Sequence, residues 1–154
     1  MIPVFNNPGC NGIPEGFVDM PKAMSMDEKI DFMRQKSTQM GYRFVGRHAA
    51  VKVCSWTRES IRGKNVCYKN KFYGIESNQC IQMTPVMFFC TFNCLHCWRN
   101  FDYMLPRQQE EWDEPKAILD GCIREQTKLL QGFFGSSAVD KEKLHKAMTP
   151  KHVA

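Results

Sequence analysis

The chain of 154 residues is 43% hydrophobic and 24% charged, a balance that predicts one folded domain and excludes an intrinsically disordered protein. No apolar run approaches the roughly 18 residues of a transmembrane helix, so no membrane association is expected. The first twenty residues contain three prolines, three glycines and no Lys or Arg, which is unlike a signal peptide and favours a cytoplasmic location.

The distribution of charge is more informative than the net charge of +5. Residues 41–75 contain one acidic residue, Glu59, whereas residues 99–125 contain seven acidic and four basic residues. The basic residues of the first stretch are Arg43, Arg47, Lys52, Arg58, Arg62, Lys64, Lys69 and Lys71. Aromatic residues are interspersed among them, so the stretch could bind RNA, with cations on phosphates and rings on bases. A solvated basic face explains the charges alone more simply.

The first predicted elements are an irregular arm and a helix. Residues 1–24 are rich in Pro, Gly and Asn and show no periodic pattern. Ser25 followed by Glu28 is a capping-box pattern that predicts a helix start, and Gly41 supplies the stop. The apolar residues of this helix share one stripe, which predicts core packing rather than a cofactor site. The stripe consists of Met26, Ile30, Met33 and Met40.

Strands are predicted in the middle of the chain. Short strands are possible at residues 51–53 and 71–73. Residues 80–90 follow with the sequence Cys-Ile-Gln-Met-Thr-Pro-Val-Met-Phe-Phe-Cys. Their apolar second half is predicted as a buried strand, with Pro85 disturbing the ladder locally. The acidic residues 102–113 are predicted to form a loop.

A long helix is predicted after this loop. Asp113 and Glu114 are expected to cap it, Pro115 fits its first turn, and Gly132 follows its expected end near Gln131. Its apolar stripe consists of Ile118, Cys122, Ile123, Leu129 and Leu130. Cys122 lies on this stripe, so a buried structural thiol is its predicted role.

A third, short helix is expected over residues 140–148, and Pro150 with residues 152–154 predicts the start of another strand. Strand, loop, helix and strand in this order predict an α/β fold that opens a βαβ series. A complete (β/α) barrel usually needs about 250 residues, so the chain is expected to be a truncated piece of one.

The eight cysteines are expected to remain reduced in the cytosol, which favours metal binding over a disulfide framework. Three of them, Cys90, Cys94 and Cys97, form a C-x3-C-x2-C run after the predicted strand. Three thiolates on one loop can bind three irons of a [4Fe–4S] cluster and leave the fourth iron open. An open iron can bind S-adenosylmethionine, and an electron from the cluster then cleaves the sulfonium to give a 5′-deoxyadenosyl radical.

Zinc is the competing metal for this run. Structural zinc needs four ligands, and His96 or His48 could supply the fourth. His96 lies between Cys94 and Cys97, where coordination of the same ion would be cramped. Its predicted place is beside the cluster, as part of the cofactor-binding loop.

A second set consists of Cys54, Cys67 and Cys80, separated by thirteen residues each time. This spacing is a weak motif alone, because buried thiols scatter in the same way. It is compatible with a second three-cysteine cluster. Lys69 would then lie near a metal centre and could act as an amine nucleophile, although a surface lysine is the simpler interpretation.

The segment from about Gly46 to Arg99 resembles the archaeal-type tRNA 4-demethylwyosine synthases, which are radical S-adenosylmethionine enzymes. The resemblance rests on residues 47–57 (RHAAVKVCSWT), 67–75 (CYKNKFYGI), 80–85 (CIQMTP) and 90–99, where the cysteine run is followed by Trp-Arg. All six cysteines match the family's arrangement of two clusters, including the step of ten residues from Cys80 to Cys90.

The resemblance implies a fold and a set of cofactors. The fold would be the start of an incomplete (β/α)6 radical-SAM barrel, preceded by a helical and irregular extension that binds iron and sulfur. Two [4Fe–4S] clusters are implied. One would be held by Cys90, Cys94 and Cys97 and would bind S-adenosylmethionine, and the other would be held by Cys54, Cys67 and Cys80.

The implied reaction condenses pyruvate with 1-methylguanosine at position 37 of phenylalanine tRNA to form tricyclic 4-demethylwyosine. The deoxyadenosyl radical would take hydrogen from the N-methyl group, and the new radical would add to pyruvate, which loses its C1 carbon. Lys69 is placed to form a Schiff base with pyruvate. A flavodoxin-like domain, which eukaryotic members carry, is not found here, so an external electron donor of flavodoxin or ferredoxin type is implied. The enzyme is expected to be a monomer.

The expected organisation divides the chain at residue 80. Residues 1–79 would form the arm, the helix and the second-cluster extension, and residues 80–154 would form the first strand, cluster loop and helices of the barrel. The family continues into strands with further contacts to S-adenosylmethionine, so this part alone is expected to be inactive. Two alternatives remain: a zinc-stabilised RNA-binding module, and a different radical enzyme if the second cysteine set is accidental.

Overall fold

The computed structural model describes residues 25–90, 92, 94, 95, 97–99 and 111–154. The predictions for the arm over residues 1–24, for His96 and for residues 102–110 of the acidic loop lie outside these ranges. None of the helices in the described ranges is long and apolar enough to cross a lipid bilayer.

The described residues form five α-helices and four β-strands. In chain order they are α1 (Met26–Gln39), β1 (Arg43–Val45), β2 (Ala49–Lys52), α2 (Ser55–Ile61), α3 (Tyr68–Tyr73), β3 (Cys80–Thr84), α4 (Pro115–Gln131), α5 (Lys141–Ala147) and β4 (His152–Val153). A single 3₁₀ turn over Ser77–Gln79 leads into β3.

The four strands form one mixed sheet in the order β1-β2-β3-β4. The pairs β1–β2 and β2–β3 are antiparallel, whereas β3 and β4 are parallel, with Cys80 opposite His152. Parallel neighbours need a crossover connection, which α4 and α5 provide here. The prediction of a βαβ unit and of a strand after Pro150 is confirmed, and with it the α/β class.

The predicted helices are confirmed. Glu114 is the N-cap of α4, but its side chain makes no capping hydrogen bond, and the Asp113 carboxylate accepts from the Arg47 N–H over 2.7 Å instead. Ser25 and Glu28 form the reciprocal capping box of α1, with the Glu28 carboxylate accepting from the Ser25 N–H over 2.7 Å. This bond, together with one to the Ser25 side chain, lowers the pKa of Glu28. In the stripe of α1, Met33 is buried in the core, as predicted. Met26 is 47% exposed, so the prediction that it packs in the core is wrong.

Helix α4 packs closely against the first two strands. Its residues Ile118 and Cys122 share a core with Val51 of β2. Gly121 permits this approach, because a Cβ atom there would lie 2.3 Å from Val45 Cγ1 of β1. Cys122 is fully buried, and burial raises the pKa of its thiol to about 11, as expected for a structural cysteine.

The predicted strand at residues 51–53 is confirmed with shifted bounds, as β2, but the one at residues 71–73 is wrong. Residues 71–73 lie in α3, where the carbonyl oxygen of Cys67 accepts hydrogen bonds from the N–H groups of Asn70 and Lys71. Gly74 ends this helix in the left-handed conformation, with a φ of 67°. Local hydrogen bonding thus overrides the strand preference of the aromatic residues.

The predicted strand in the second half of segment 80–90 is also wrong, because β3 occupies the first half. Pro85 has no N–H group to continue the ladder. The Thr84 hydroxyl then accepts a hydrogen bond from the Val86 N–H over 3.3 Å and turns the chain. Met87 and Phe88 are buried against α1, so their apolar character reflects core packing.

Candidate metal-cluster sites

The upstream set, Cys54, Cys67 and Cys80, is placed by three different elements. Cys54 is the N-cap of α2, Cys67 is the N-cap of α3, and Cys80 begins β3. Cys67 and Cys80 are each 7% exposed. Burial raises the pKa of the Cys80 thiol, and the negative charges of Cys67 and Cys54 raise it further. Cys67 and Cys54 therefore both act electrostatically on Cys80.

Cys67 differs from Cys80 because hydrogen-bond donors surround its sulfur. Burial alone would raise its pKa, but the Ser77 hydroxyl donates to the sulfur over 3.3 Å, and the N–H groups of Asn70 and Lys69 add further hydrogen bonds. With the positive charge of Lys69, these donors lower the pKa of Cys67 below its ordinary value. The site therefore favours a thiolate at Cys67, which is the form that binds metal.

Lys69 lies on α3 beside this set, and its side chain is half-buried. Its positive charge acts on both Cys67 and Cys80. The structure thus brings the predicted nucleophile to the upstream cysteines. The same short helix exposes three aromatic side chains to solvent: Tyr68 (60%), Phe72 (77%) and Tyr73 (73%).

The downstream set, Cys90, Cys94 and Cys97, lies on the loop between β3 and α4. Cys94 is exposed, and Cys90 and Cys97 are half-buried. The Cys97 N–H donates to the Cys94 carbonyl oxygen over 3.0 Å, which forms a tight turn between them. The Phe92 N–H donates to the Cys90 sulfur over 3.4 Å, and this bond, with one from Arg99, lowers the pKa of Cys90.

Arg99 organises this loop, a role that the sequence did not predict. Its guanidinium donates to the carbonyl oxygens of Val86 and Phe89 over 2.9 and 3.2 Å. Burial opposes its charge, but hydrogen bonds to the thiolates of Cys97 and Cys90 raise its pKa. The only sequence signal was its position two residues after the last cysteine of the run.

Each cysteine set is a candidate ligand set for a metal cluster. Among the described ranges, no three Cys, His, Asp or Glu side chains converge tightly enough to hold one metal ion. A [4Fe–4S] cluster binds each thiolate through a different iron, so its ligands stay farther apart than those of one ion. Each set also combines three thiols with a nearby cation, Lys69 or Arg99, which suits an anionic cluster.

His48, one candidate zinc ligand, is already occupied. It is 3% exposed, its Nδ1 contacts the Pro85 carbonyl oxygen, and its Nε2 accepts a hydrogen bond from the Asp113 N–H over 3.0 Å. The Asp113 carboxylate also lies 3.6 Å from Nε2. His48 therefore joins the start of α4 to the end of β3 and is not free to complete a zinc site.

The basic stretch contains both structural and solvent-facing cations. Arg58 donates to the Val53 carbonyl oxygen over 3.1 Å, and the Arg62 guanidinium lies 5.4 Å from the centre of the Phe133 ring. Both residues therefore contact the fold, although Arg62 is also exposed. The exposed cations of the stretch include Arg43, Lys64 and Lys71. The prediction of RNA binding therefore depends on a subset of the eight basic residues.

No family model matches the chain. Curated proteins named S-adenosyl-L-methionine-dependent tRNA 4-demethylwyosine synthase do match it. The Pyrococcus abyssi protein is 46% identical over 143 residues, which cover 92% of this chain and 41% of that protein. The Arabidopsis thaliana protein is 34% identical over 141 residues, covering 90% of this chain and 22% of that protein. The human protein, named TYW1, is 36% identical over 123 residues, covering 79% of this chain and 17% of that protein.

Two solved structures are also similar. TYW1 with a lysine–pyruvate adduct bound has a TM-score of 0.64 and 34% identity, and archaeal TYW1 has a TM-score of 0.59 and 30% identity. Each comparison covers 84% of this chain and 41% of the solved chain. The chain spans about two fifths or less of the length of the curated relatives named here.

Proposed function

This chain is a homologue of the tRNA 4-demethylwyosine synthases, and we propose that it is the cluster-binding part of such an enzyme. The enzyme would condense pyruvate with 1-methylguanosine at position 37 of phenylalanine tRNA and would depend on S-adenosylmethionine. The observation that carries this proposal is that Cys54, Cys67 and Lys69 all act electrostatically on Cys80, while Arg99 interacts with both Cys90 and Cys97.

The downstream set would hold the cluster that binds S-adenosylmethionine. When bound, this cluster supplies the electron that cleaves the sulfonium. The chain's own contribution is to shape the loop: Arg99 fixes it to the carbonyl oxygens of Val86 and Phe89 and donates hydrogen bonds to Cys90 and Cys97. His96 would pack beside this cluster.

The upstream set would hold a second [4Fe–4S] cluster, and Lys69 would react with pyruvate next to it. The solved TYW1 structure that contains a lysine–pyruvate adduct supports a lysine in this role. Lys69 is half-buried and electrostatically coupled to Cys67 and Cys80, so an amine there is held at the edge of the cluster site. Holding amine and ketone together lowers the entropic part of the barrier to their reaction.

The exposed aromatic side chains of α3 would meet the tRNA. Tyr68, Phe72 and Tyr73 flank Lys69 in sequence and are 60–77% exposed. Aromatic rings stack on unpaired bases, and exposed lysines such as Lys71 bind phosphates. A base held against α3 would lie beside the amine that carries pyruvate.

The domain organisation follows from these roles. Residues 1–79 would form the second-cluster extension, and residues 80–154 would open the radical-SAM barrel with β3, the cluster loop, α4, α5 and β4. Electrons would come from a separate flavodoxin- or ferredoxin-type donor. The enzyme would be a cytoplasmic monomer that acts as a carbon–carbon lyase.

Metal analysis after anaerobic reconstitution tests the proposal. Two clusters correspond to about eight irons and eight sulfides per chain, one cluster to about four of each, and a zinc module to zinc without sulfide. About eight irons support the proposed function. About four irons indicate a different radical enzyme, and zinc without sulfide indicates an RNA-binding module.

A further inference from the structure

We propose that Ser77 is a positioning residue that orients the Cys67 thiolate and raises the reduction potential of a cluster on the upstream set. The inference rests on the proposed function, because it requires a cluster held by Cys54, Cys67 and Cys80. It assigns a redox role to a side chain that is not itself a cysteine or a cluster ligand.

The Ser77 side chain makes two hydrogen bonds to the same residue. Its Oγ accepts from the backbone N–H of Cys67 over 3.0 Å and donates to the Cys67 sulfur over 3.3 Å. The first bond fixes the oxygen, so the hydroxyl proton points at the sulfur. Ser77 is 2% exposed, so water does not compete for this proton.

The backbone of Ser77 is anchored by α2. The Thr57 hydroxyl, on a residue that is 1% exposed, donates to the Ser77 carbonyl oxygen over 3.0 Å. Thr57 lies three residues after Cys54, and Ser77 lies three residues before Cys80. Two buried hydroxyl groups thus join the segments that carry all three upstream cysteines.

This arrangement has an electronic consequence. A hydrogen bond to a ligating sulfur withdraws electron density, so it stabilises the reduced, more negative cluster more than the oxidised one. Ser77 therefore favours reduction. We expect loss of the bond to change the one-electron equilibrium about tenfold, a downward shift of about 59 mV in midpoint potential.

The experiment isolates the upstream cluster. The chain with Cys90, Cys94 and Cys97 replaced by Ala is reconstituted anaerobically, and Ser77→Ala and Ser77→Thr are introduced into this background. The matched control is Ser37→Ala, because Ser37 is a fully buried serine on α1 whose hydroxyl has no partner within the described residues. Iron and sulfide content, midpoint potential and the electron paramagnetic resonance of the reduced cluster are measured.

We expect Ser77→Ala to bind the same amount of iron at a lower potential with altered g values, and Ser77→Thr and Ser37→Ala to match the parent. An unchanged potential in Ser77→Ala overturns the inference and leaves the proposed function standing. A parent background without iron overturns the inference, and the proposed function fails as well if the chain with all six cysteines also binds no iron.

If Ser77→Ala loses its iron, Ser77→Thr decides the outcome. Threonine keeps the hydroxyl, so iron binding at the parent's potential in that variant supports the role of the hydrogen bond. Loss of iron in both variants shows that iron binding requires the shape of the serine side chain and not its hydroxyl group alone. This result overturns the proposed redox role.

Discussion

The two cysteine sets are anchored in different ways. Cys54, Cys67 and Cys80 start three separate helices or strands, and a buried network of hydroxyl groups joins their segments. The downstream set shares one loop between β3 and α4, where the described residues form no helix or strand. The Arg99 side chain supports that loop through hydrogen bonds to the carbonyl oxygens of Val86 and Phe89.

This difference concerns what would hold the thiols of each set in place for a cluster. The fold itself orders the upstream cysteines, because each of them stands at the start of a helix or strand. The described downstream cysteines begin no helix or strand, so a cluster there would depend on the Arg99 hydrogen bonds and on its own bonds to hold the thiols in place. The predictions below test this contrast.

The largest effect is expected from removing the downstream set. Replacing Cys90, Cys94 and Cys97 together by Ala in the full-length enzyme should abolish cleavage of S-adenosylmethionine and leave the upstream cluster bound, because its ligands are anchored independently. Iron should fall from about eight to about four per chain. Cys122→Ala removes a thiol outside both sets and should keep all the iron. Complete loss of iron from a folded triple variant would show that the two sites are not independent.

The next effect concerns Lys69 in the full-length enzyme. Lys69→Arg keeps the positive charge beside Cys67 but removes the usable amine. It should retain both clusters and cleave S-adenosylmethionine, yet form little 4-demethylwyosine. Borohydride added with pyruvate should trap an adduct on the parent, and Lys71→Arg should behave like the parent. Product formation by Lys69→Arg at the parent's rate would leave Lys69 as a structural cation only.

A substitution in α4 should destabilise the part of the fold that supports the upstream set. Gly121→Ala places a methyl group against Val45, so we expect a loss of about 1–3 kcal/mol in the free energy of unfolding. The buried Gln126 amide of α4 donates to the Cys80 carbonyl oxygen over 3.3 Å, so Cys80 should also become more reactive. Urea unfolding measures the first effect. Gly132→Ala, where a Cβ atom has space, is the control and should not destabilise the chain.

Thiol reactivity separates two upstream cysteines of equal exposure. Cys67 and Cys80 are each 7% exposed, but the pKa of Cys67 is lowered and that of Cys80 is raised. A thiol with a lowered pKa keeps its thiolate to lower pH, so iodoacetamide should label Cys67 several-fold faster near pH 7 in the metal-free chain. The ratio should shrink as the pH rises past the usual thiol value of about 8.5. Equal rates across this range, measured by peptide mass spectrometry, would refute the contrast.

The smallest effect is expected in tRNA binding. Replacing the exposed Lys64 and Lys71 by Gln should lower the log–log salt slope by roughly 0.7–0.9 for each phosphate that the variant no longer neutralises. The matched control removes two lysines of α4, Lys116 and Lys128, which pair with acidic residues of their own helix. An unchanged slope in the first variant would mean that the basic stretch is a solvated face.

Local signals in the sequence were sufficient for several elements. The capping box at Ser25, Pro115 in the first turn of α4 and Asp140 at the N-cap of α5 each depend on neighbouring residues only, so they could be predicted. The six cysteines were equally visible as a pattern, although their roles as ligands remain predictions.

The features that could not be predicted from the sequence depend on contacts between distant residues or on competing local signals. The aromatic residues of α3 favour a strand, yet Gly74 and the carbonyl of Cys67 close a helix. The close approach of Gly121 to Val45 joins positions far apart in the chain. Ser77 is an ordinary serine in the sequence, and only the packing of α2 and α3 around it reveals its partners.

The parallel pairing of β3 with β4 has a consequence for the order of folding. The β1–β2 hairpin forms between near neighbours, whereas Cys80 pairs with His152, 72 positions later (152 minus 80). Contacts of such high sequence separation form slowly, because the intervening chain must first be closed into a loop. On a ribosome, the strand that begins with Cys80 acquires its second neighbour only after residues 152–153 have emerged. We therefore expect the strand pairing around Cys80 to be complete only late in synthesis, after Cys90, Cys94 and Cys97 have already left the ribosome.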